Sequence, residues 1–329
     1  MSIKKPKLIA STFSVVALLL WLLSIYWGWM PSAYDVHVKT SETARFNNHE
    51  IVAGYTTTST LIDITEWLIH KPGGLISNDI MPPSIFMDNM PAFEYGVLEQ
   101  ARDLALVMRL DFSRSQSQST GDKDLELAQT KLNIAIDSWH LPSAENEYQD
   151  AIDALKSYRI RLVSHDETDA QFYTRADNLS DWLREVEKRL GSVSHRLSAS
   201  VGQERFNLEL AGDGNAKQST PTQSETLIKT SWFEIDDVFY ESRGSTWAIL
   251  HFLKAVEIDF ADVLEKKNAT MSLKQIIRDL EETQESLWSP MVLNGSGFGL
   301  AANHSLVMAN YVSRANAAII DLRRLLEQG

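Results

Sequence analysis

An uncharged stretch near the N terminus constrains this chain more than any other feature. Residues 8–30 contain no charged side chain. As a helix, this stretch would be about 34 Å long, which is enough to cross a hydrocarbon core about 30 Å thick. Its end carries Trp27 and Trp29, and aromatic side chains of this kind are typical of the membrane interface. We therefore predict a single transmembrane anchor over residues 8–30.

The basic residues beside this stretch predict its orientation. Lys4, Lys5 and Lys7 precede it, and the first 30 residues contain no acidic side chain. By the positive-inside rule, residues 1–7 form a cytoplasmic tail and the body lies on the other side of the membrane. A cleaved signal peptide is the alternative, but its apolar core is usually only about 7–15 residues long. The anchor contains no G-x-x-x-G pattern, so nothing in it predicts close helix dimerisation.

The charge of the chain and its lack of cysteine exclude several kinds of site. The chain has 31 basic and 44 acidic residues, a net charge of −13, which repels nucleic acid. It has no cysteine, so thiolate zinc sites are excluded, and its histidines form no H-E-x-x-H or E-x-x-H pattern. We therefore predict no nucleic-acid partner, no metal and no cofactor.

Apolar residues at spacings of three and four predict an all-α body, a helical bundle behind the single transmembrane helix. We divide it into an irregular lead-in with one short helix (31–90), a first helical subdomain (91–200), a flexible linker (201–230) and a second helical subdomain (231–329). Within these segments the pattern predicts helices over 58–70, from Pro91 to Met108, over 143–163, 169–197, 231–268 with a break near Arg243 and Gly244, from Ser272 to 287, and over 303–326.

Two halves of the body share short patterns, which raises the question of an internal duplication. Asp111-Phe112 in the first half matches Asp259-Phe260 in the second. Each Phe is followed at a similar distance by a Trp, at 139 and 288, and then by a Pro, at 142 and 290. We consider two interpretations, a duplicated helical unit that gives two related subdomains, and a chance match among residues common in helices.

Several longer strings resemble a known family of bacterial proteins. The strings lie at residues 80–83 (IMPP), 88–91 (DNMP), 111–119 (DFSRSQSQS), 175–179, 187–191, 234–240, 263–268 and 294–299 (NGSGFG). Together they resemble the uncharacterised family DUF2333 over nearly the whole chain. The resemblance implies a bacterial protein anchored in the inner membrane, with its body in the periplasm. It supplies no catalytic residues to transfer.

Two polar strings are the candidate ligand-binding or partner-binding sites. Arg114, Ser115 and Gln116 open a run of hydroxyl and amide side chains that suits a carboxylate, a phosphate or a glycan.

The second string is a Gly-rich loop with Asn294, Ser296 and, eight residues after that serine, His304. A loop that leads into a helix can hold an anion at the free backbone N–H groups. Ser296 beside His304 would be a hydrolase arrangement if the two side chains met. The alternative is a structural loop in which Asn303 caps the last helix.

These observations favour an anchored adaptor or scaffold that binds an envelope protein or an envelope polymer. One alternative is a periplasmic enzyme acting on peptidoglycan or lipid-linked glycan. Another is a ligand-binding accessory subunit of a separate transducer. A cleft lined by converging acids, or by Ser296 with His304, would favour the enzyme, and an exposed apolar patch would favour the adaptor. No signal in the sequence predicts an oligomeric state.

Overall fold

The structure is a computed structural model that describes residues 4–114, 121–164, 170–206, 225–289, 291–296 and 300–328. Eleven α-helices and one antiparallel pair of short strands form the regular structure of these residues, and the all-α prediction is confirmed. The helices are α1 (Lys4–Trp27), α2 (Val36–Asn47), α3 (Tyr55–His70), α4 (Asn89–Val107), α5 (Lys123–Leu132), α6 (Ala144–Val163), α7 (Ala176–Ser198), α8 (Ile235–Asp259), α9 (Ala261–Lys266), α10 (Thr270–Glu282) and α11 (His304–Glu327).

The apolar stretch forms most of α1. Within the described residues, α1 is the one helix that is long and apolar enough to cross a membrane, over Ile9–Trp27, and the body buries none of that span. Its last residues nevertheless meet the body. A Cβ atom placed on Gly73 would lie 2.7 Å from the Trp27 ring, and one placed on Gly28 would lie 3.7 Å from the Met87 side chain.

The centre of the body is a close parallel pairing of α4 with α8. A Cβ atom on Gly96 would lie 2.1 Å from the carbonyl oxygen of Glu241, and one on Gly244 would lie 2.1 Å from that of Phe93. Only glycine permits helix backbones to approach this closely. Further along both helices, the rings of Phe112 and Phe260 are 5.3 Å apart.

This pairing has an internal symmetry. The two glycines are 148 positions apart (244 − 96), and so are the residues whose carbonyls they meet (241 − 93). The two phenylalanines at the far end have the same separation (260 − 112). Two copies of one unit related by a twofold axis make the same contact twice, between equivalent residues. This geometry therefore supports the duplication, which stays a prediction.

The remaining helices surround this pair and enclose one core. α5 packs on α6, α10 packs on α11, and α7 packs on α11 in the opposite direction. The contact between α7 and α11 includes a 2.6 Å hydrogen bond between the Ser194 and Ser313 hydroxyls. Buried apolar side chains from both sides of residues 201–230 belong to a single cluster. The two segments that we predicted as subdomains therefore share one core.

The helices run up and down the bundle, so the loops collect at two ends. One end, which we call the anchor end, holds the end of α1, the starts of α4 and α8, and the loops at 71–88, 133–143, 229–234 and 283–303. Asn78 Nδ2 is 3.4 Å from the carbonyl oxygen of Ser138, and Arg243 donates to the carbonyl oxygens of Gln284 and Glu285. These contacts connect the loops of the anchor end.

Some local predictions were wrong. α8 continues without interruption through Arg243 and Gly244, because the glycine there serves close packing and not a bend. α10 begins at Thr270, and no side chain caps it, so the capping box expected at Ser272 does not form. The lead-in contains α2, and the first helical subdomain contains α5; we predicted neither helix. The segment predicted as a linker begins and ends with paired strands, β1 (Gln203–Phe206) and β2 (Glu225–Ile228), and residues 207–224 lie outside the described residues.

We expect Gly96→Ala and Gly244→Ala each to lower the free energy of unfolding by about 2–3 kcal/mol, because the new methyl group meets a backbone oxygen that cannot move aside. Gly191→Ala in α7 is the matched control, since its Cβ atom would lie 3.7 Å from the nearest atom, Asn316 Nδ2. That variant should gain up to about 1 kcal/mol from helix propensity. Thermal unfolding followed by circular dichroism in mild detergent measures all three, and equal stability at 96, 244 and 191 would contradict the close pairing.

Candidate functional site

A charged groove opens between α2, α3 and α6. Its volume is about 450 Å³, and we call it the Arg159 groove. Asp35 caps the start of α2, because its side chain accepts a hydrogen bond from Val38 N, and Asn48, which follows the helix, has a left-handed conformation. That turn brings α3 back beside α2, with α6 across the gap. The lining residues are Thr43, Phe46, Asn47, His49, Ile62, Asp63, Glu66, Lys156, Arg159 and Ile160.

The start of α3, which carries the inner wall of this groove, is held by a buried carboxylate from α8. Asp259 accepts hydrogen bonds from the backbone N–H of Thr57, at 2.7 Å, and from its hydroxyl, at 2.6 Å. It therefore caps a helix start where Gly54 has a positive φ and offers no side-chain cap. Burial raises the pKa of Asp259 to about 6, although the hydrogen bonds from Thr57 oppose this shift.

Arg159 lies at the floor of the groove and is only 7 % exposed. Its Nη1 donates to the Ser59 hydroxyl at 3.0 Å, and its guanidinium lies 5.4 Å from the centre of the Tyr55 ring. Its Nε is buried and has no hydrogen-bond partner. Within the described residues, Arg159 forms no ion pair with a carboxylate. The groove therefore contains a buried cation that lies in no close ion pair and lacks part of its hydrogen bonding, and its charge acts at longer range on Asp63, where it opposes the rise in pKa.

The two carboxylates of the groove are each paired with a lysine, and one of these lysines, Lys39 of α2, lies outside the lining. Lys39 Nζ lies 3.4 Å from Asp63 Oδ2, and Lys156 Nζ lies 2.6 Å from Glu66 Oε1. Burial raises the pKa of Asp63, and the positive charge of Lys39 acts against that rise. Each carboxylate of the groove is thus paired with a lysine and forms no close ion pair with Arg159, although the charge of Arg159 also opposes the rise in the pKa of Asp63.

His49 lies at the rim of the groove. Its Nδ1 is 3.2 Å from the Tyr55 hydroxyl. Burial lowers the pKa of His49, and the charge of Arg159 lowers it further. The imidazole is therefore favoured in its neutral form, so it does not add a second positive charge near the guanidinium at neutral pH.

The chemistry of this arrangement is the recognition of a carboxylate. A guanidinium presents donors in one plane that match the two oxygens of a carboxylate, and such charge-assisted pairs are strong where water is excluded. A buried cation without a partner is costly. A carboxylate that enters the groove would supply the missing counter-charge.

The first predicted site does not line this groove. Arg114 is half-buried and follows the π-helical turn Met108–Phe112 at the end of α4. Its charge lowers the pKa of Asp111, which burial raises. Ser115 and Gln116 lie outside the described residues.

The second predicted site is a braced loop at the anchor end. Asn294 Nδ2 donates to the Ser200 carbonyl at 2.9 Å, and Asn294 Oδ1 accepts from Asn303 Nδ2 at 2.8 Å. Leu293 N donates to His304 Nδ1 at 3.0 Å. Ser296 is exposed, and within the described residues no hydrogen bond joins it to His304. The prediction that Asn303 caps the last helix is confirmed, because its side chain accepts from Leu306 N.

The two predicted strings do not form one site, since Arg114 follows the far end of α4 and the second loop lies at the anchor end. Residues of the Arg159 groove were not among the predicted ones. A signal for Arg159 was available, because it follows Leu155 by four positions and so falls on the buried face of α6. A charged residue in an apolar register is a reason to expect a function or a buried partner.

The raised pKa of Asp259 predicts a pH-dependent stability difference between the native protein and Asp259→Asn. Above pH 4 the unfolded chain has lost this proton, whereas the folded protein keeps it until about pH 6. The native protein should therefore lose about 3 kcal/mol relative to the variant as the pH rises from 3 to 7, most of it between pH 4 and 6, and almost nothing further above pH 7. Denaturant unfolding of both proteins across this range gives the difference, and parallel curves would contradict a carboxyl group in this state.

Arg159→Met should leave the free energy of unfolding unchanged or raise it by up to about 2 kcal/mol, because an uncompensated buried charge is removed and its volume is retained. The control is Arg243→Met, also at a buried arginine. The guanidinium of Arg243 donates to two backbone carbonyls, so its loss should cost about 2 kcal/mol or more. A comparable loss for Arg159→Met would make that arginine a structural residue.

Comparison with known proteins places the chain in a family without assigning an activity to it. No curated protein matches the chain, and no solved structure matches it. A family model matches residues 2–329 and is described as an uncharacterised protein conserved in bacteria, DUF2333. Because that model covers almost the whole length of the chain, this protein belongs to the DUF2333 family.

Proposed function

We propose that this chain is a membrane-anchored, non-enzymatic adaptor that binds a carboxylate-bearing partner, an envelope protein or an envelope polymer, in the Arg159 groove. One observation carries the proposal. Arg159 is buried at the floor of an open groove and has no ion-pair partner within the described residues, although four other charged side chains around it are paired. A buried cation of this kind lowers the free energy of unfolding of the free protein. A carboxylate that binds from outside offsets this cost.

The proposal includes a location. The span over Ile9–Trp27 is long and apolar enough to lie across the inner membrane. The lysines at positions 4, 5 and 7 favour the cytoplasmic side for the residues before it. The helical body, with the Arg159 groove, then faces the periplasm and the polymers of the envelope. Alkaline phosphatase fused after Gly329 should be active if the body is periplasmic, and an inactive fusion would contradict this orientation.

The pairing of the groove carboxylates favours binding over catalysis. A general acid or base must be able to reach a substrate proton, whereas Asp63 and Glu66 are each held by a lysine. Ser296 and His304, the residues considered for hydrolysis, show no hydrogen bond to each other within the described part of the loop. These observations give the adaptor more support than the enzyme.

Photo-crosslinking in intact bacterial cells tests the proposal. A photoreactive amino acid replaces Phe46, which is exposed at the rim of the groove. We expect an adduct of defined mass from this position, and we expect Arg159→Met to abolish it. The matched position is Met271, which is also exposed but lies at the start of α10, away from the groove.

The possible outcomes separate the alternatives. The same adduct from position 271, or an adduct that persists in the Arg159→Met variant, would show that the groove is not the binding site. No adduct from position 46 would contradict the adaptor. In that case, a binding assay with small carboxylates on the purified protein would test the remaining alternative, an accessory subunit that binds a free ligand.

A further inference from the structure

Exposed apolar side chains cluster on the loops of the anchor end, beside the helix that enters the membrane. We propose that these loops lie in the interfacial layer of the phospholipid bilayer, so that the body docks on the membrane surface in addition to being tethered by α1. This inference rests on the membrane anchoring proposed above but not on the Arg159 groove.

The level of the loops relative to the apolar span is the first argument. A cavity of about 260 Å³ is lined jointly by Ser24 and Gly28 of the anchor segment, by residues of the loop that precedes α4, and by Tyr240 of α8. Phe86 is one of these loop residues and is 81 % exposed. Ser24 lies within the apolar span Ile9–Trp27. The loop therefore stands at the depth of the last turn of the span, where lipid headgroups and upper acyl chains are found.

The composition of the exposed side chains is the second argument. The loop at 71–88 exposes Met81 beside Phe86, and Asn78 connects it to the loop at 133–143, which exposes Trp139. The loops on the α8 side expose Trp232 and Trp288. Aromatic side chains on several loops at one level form the pattern of an interfacial belt. An exposed apolar surface of this kind marks an interaction site.

The attachment of the anchor is the third argument, because it prevents the body from swinging away. Trp247 Nε1 lies 3.3 Å from the Ser32 carbonyl, and Tyr34 N donates to His251 Nε2 at 3.1 Å. The chain that leaves α1 is thus bound to α8 within a few residues. Nδ1 of His251 then carries the proton and donates to the Trp247 carbonyl at 2.6 Å. Burial lowers the pKa of His251 to about 3, so this attachment keeps its form at neutral pH.

The loop with Met81 and Phe86 is also held rigidly. Glu94 of α4 accepts hydrogen bonds from the backbone N–H groups of Ile76, at 2.9 Å, and Ser77, at 2.8 Å. The same carboxylate pairs with the buried ammonium of Lys71. A loop that is already fixed loses little conformational entropy when its apolar side chains enter the membrane, unlike a mobile segment.

The charges of these loops decide which kind of lipid contact is expected. These loops contain two lysines, at 71 and 229, and five acidic residues, at 79, 88, 137, 234 and 285, so their net negative charge does not attract anionic headgroups. Docking must therefore depend on apolar and aromatic insertion, as in interfacial proteins. We expect it on zwitterionic lipid and expect no strengthening by anionic lipid.

Depth-dependent fluorescence quenching tests the inference on the full chain. The native chain has no cysteine, so single-cysteine variants can each carry one environment-sensitive fluorophore. The docking probes are Met81→Cys and Trp139→Cys. The matched control is Met271→Cys, because Met81 is 69 % and Met271 is 75 % exposed. Leu18→Cys reports on the anchor itself. Each protein is placed, one copy per disc, in phosphatidylcholine nanodiscs.

We expect spin-labelled lipid to quench the probes at 81 and 139 severalfold more than the probe at 271, and aqueous iodide to give the opposite order. The same result is expected when phosphatidylglycerol is added. Iodide quenching of the probes at 81 and 139 equal to that of the probe at 271 would overturn the docking. Shielding of the probes at 81 and 139 from both iodide and spin-labelled lipid would also overturn it. Lipid quenching at 18 alone would retain the anchor and reject the docked body. A circular dichroism melt of each variant verifies that it folds. Because the two docking positions lie on separate loops, a local change in one loop does not affect both probes.

Discussion

The contact between the backbones of α4 and α8 determines most of the architecture. Two parallel helices cannot be joined by a short turn, because the end of one is a full helix length away from the start of the other. Each must therefore be followed by its own returning helix, which α5 and α10 provide. Those helices end at the anchor end, and the loops that follow them reach that end too. The position of the loops beside the end of α1 is thus a consequence of a pairing that only Gly96 and Gly244 permit.

The connection between α1 and the body makes the two parts one mechanical unit. Trp247 and His251 project from the middle of α8 and bind the segment that follows the anchor. Trp247 also packs on Trp67 and Phe93, with ring centres 5.3 and 6.1 Å apart. The attachment point therefore belongs to the core of the bundle. A tilt of α1 would be transmitted to α8 and, through the glycine contact, to α4.

The sequence predicted local features well where a single helix determines them. Periodicity located α3, α6 and α11 closely, because one face of each is apolar and buried. It missed α2, whose few buried residues, Val36, Thr40 and Ala44, give little contrast between faces. The Arg159 groove could not be predicted, since three helices, α3, α4 and α5, separate α2 from α6 in the sequence. The cap of α3 depends likewise on Asp259, which is 202 positions from Thr57. The strings that we selected instead were conspicuous for their polarity, and the described part of the second serves to brace a loop.

The lengths of the helices also determine how far the Arg159 groove lies from the anchor end. α8 has 25 residues and is about 37 Å long, and Arg159 lies about 22 Å along α6 from its start at the anchor end. If the body stands on the bilayer on its loops, the mouth of the groove opens sideways at a fixed elevation of about 20 Å. A binding partner then has to present its carboxylate within that thin layer above the lipid headgroups. Components of the same membrane with short extracytoplasmic parts meet this requirement, and so do polymer strands that pass close to the surface.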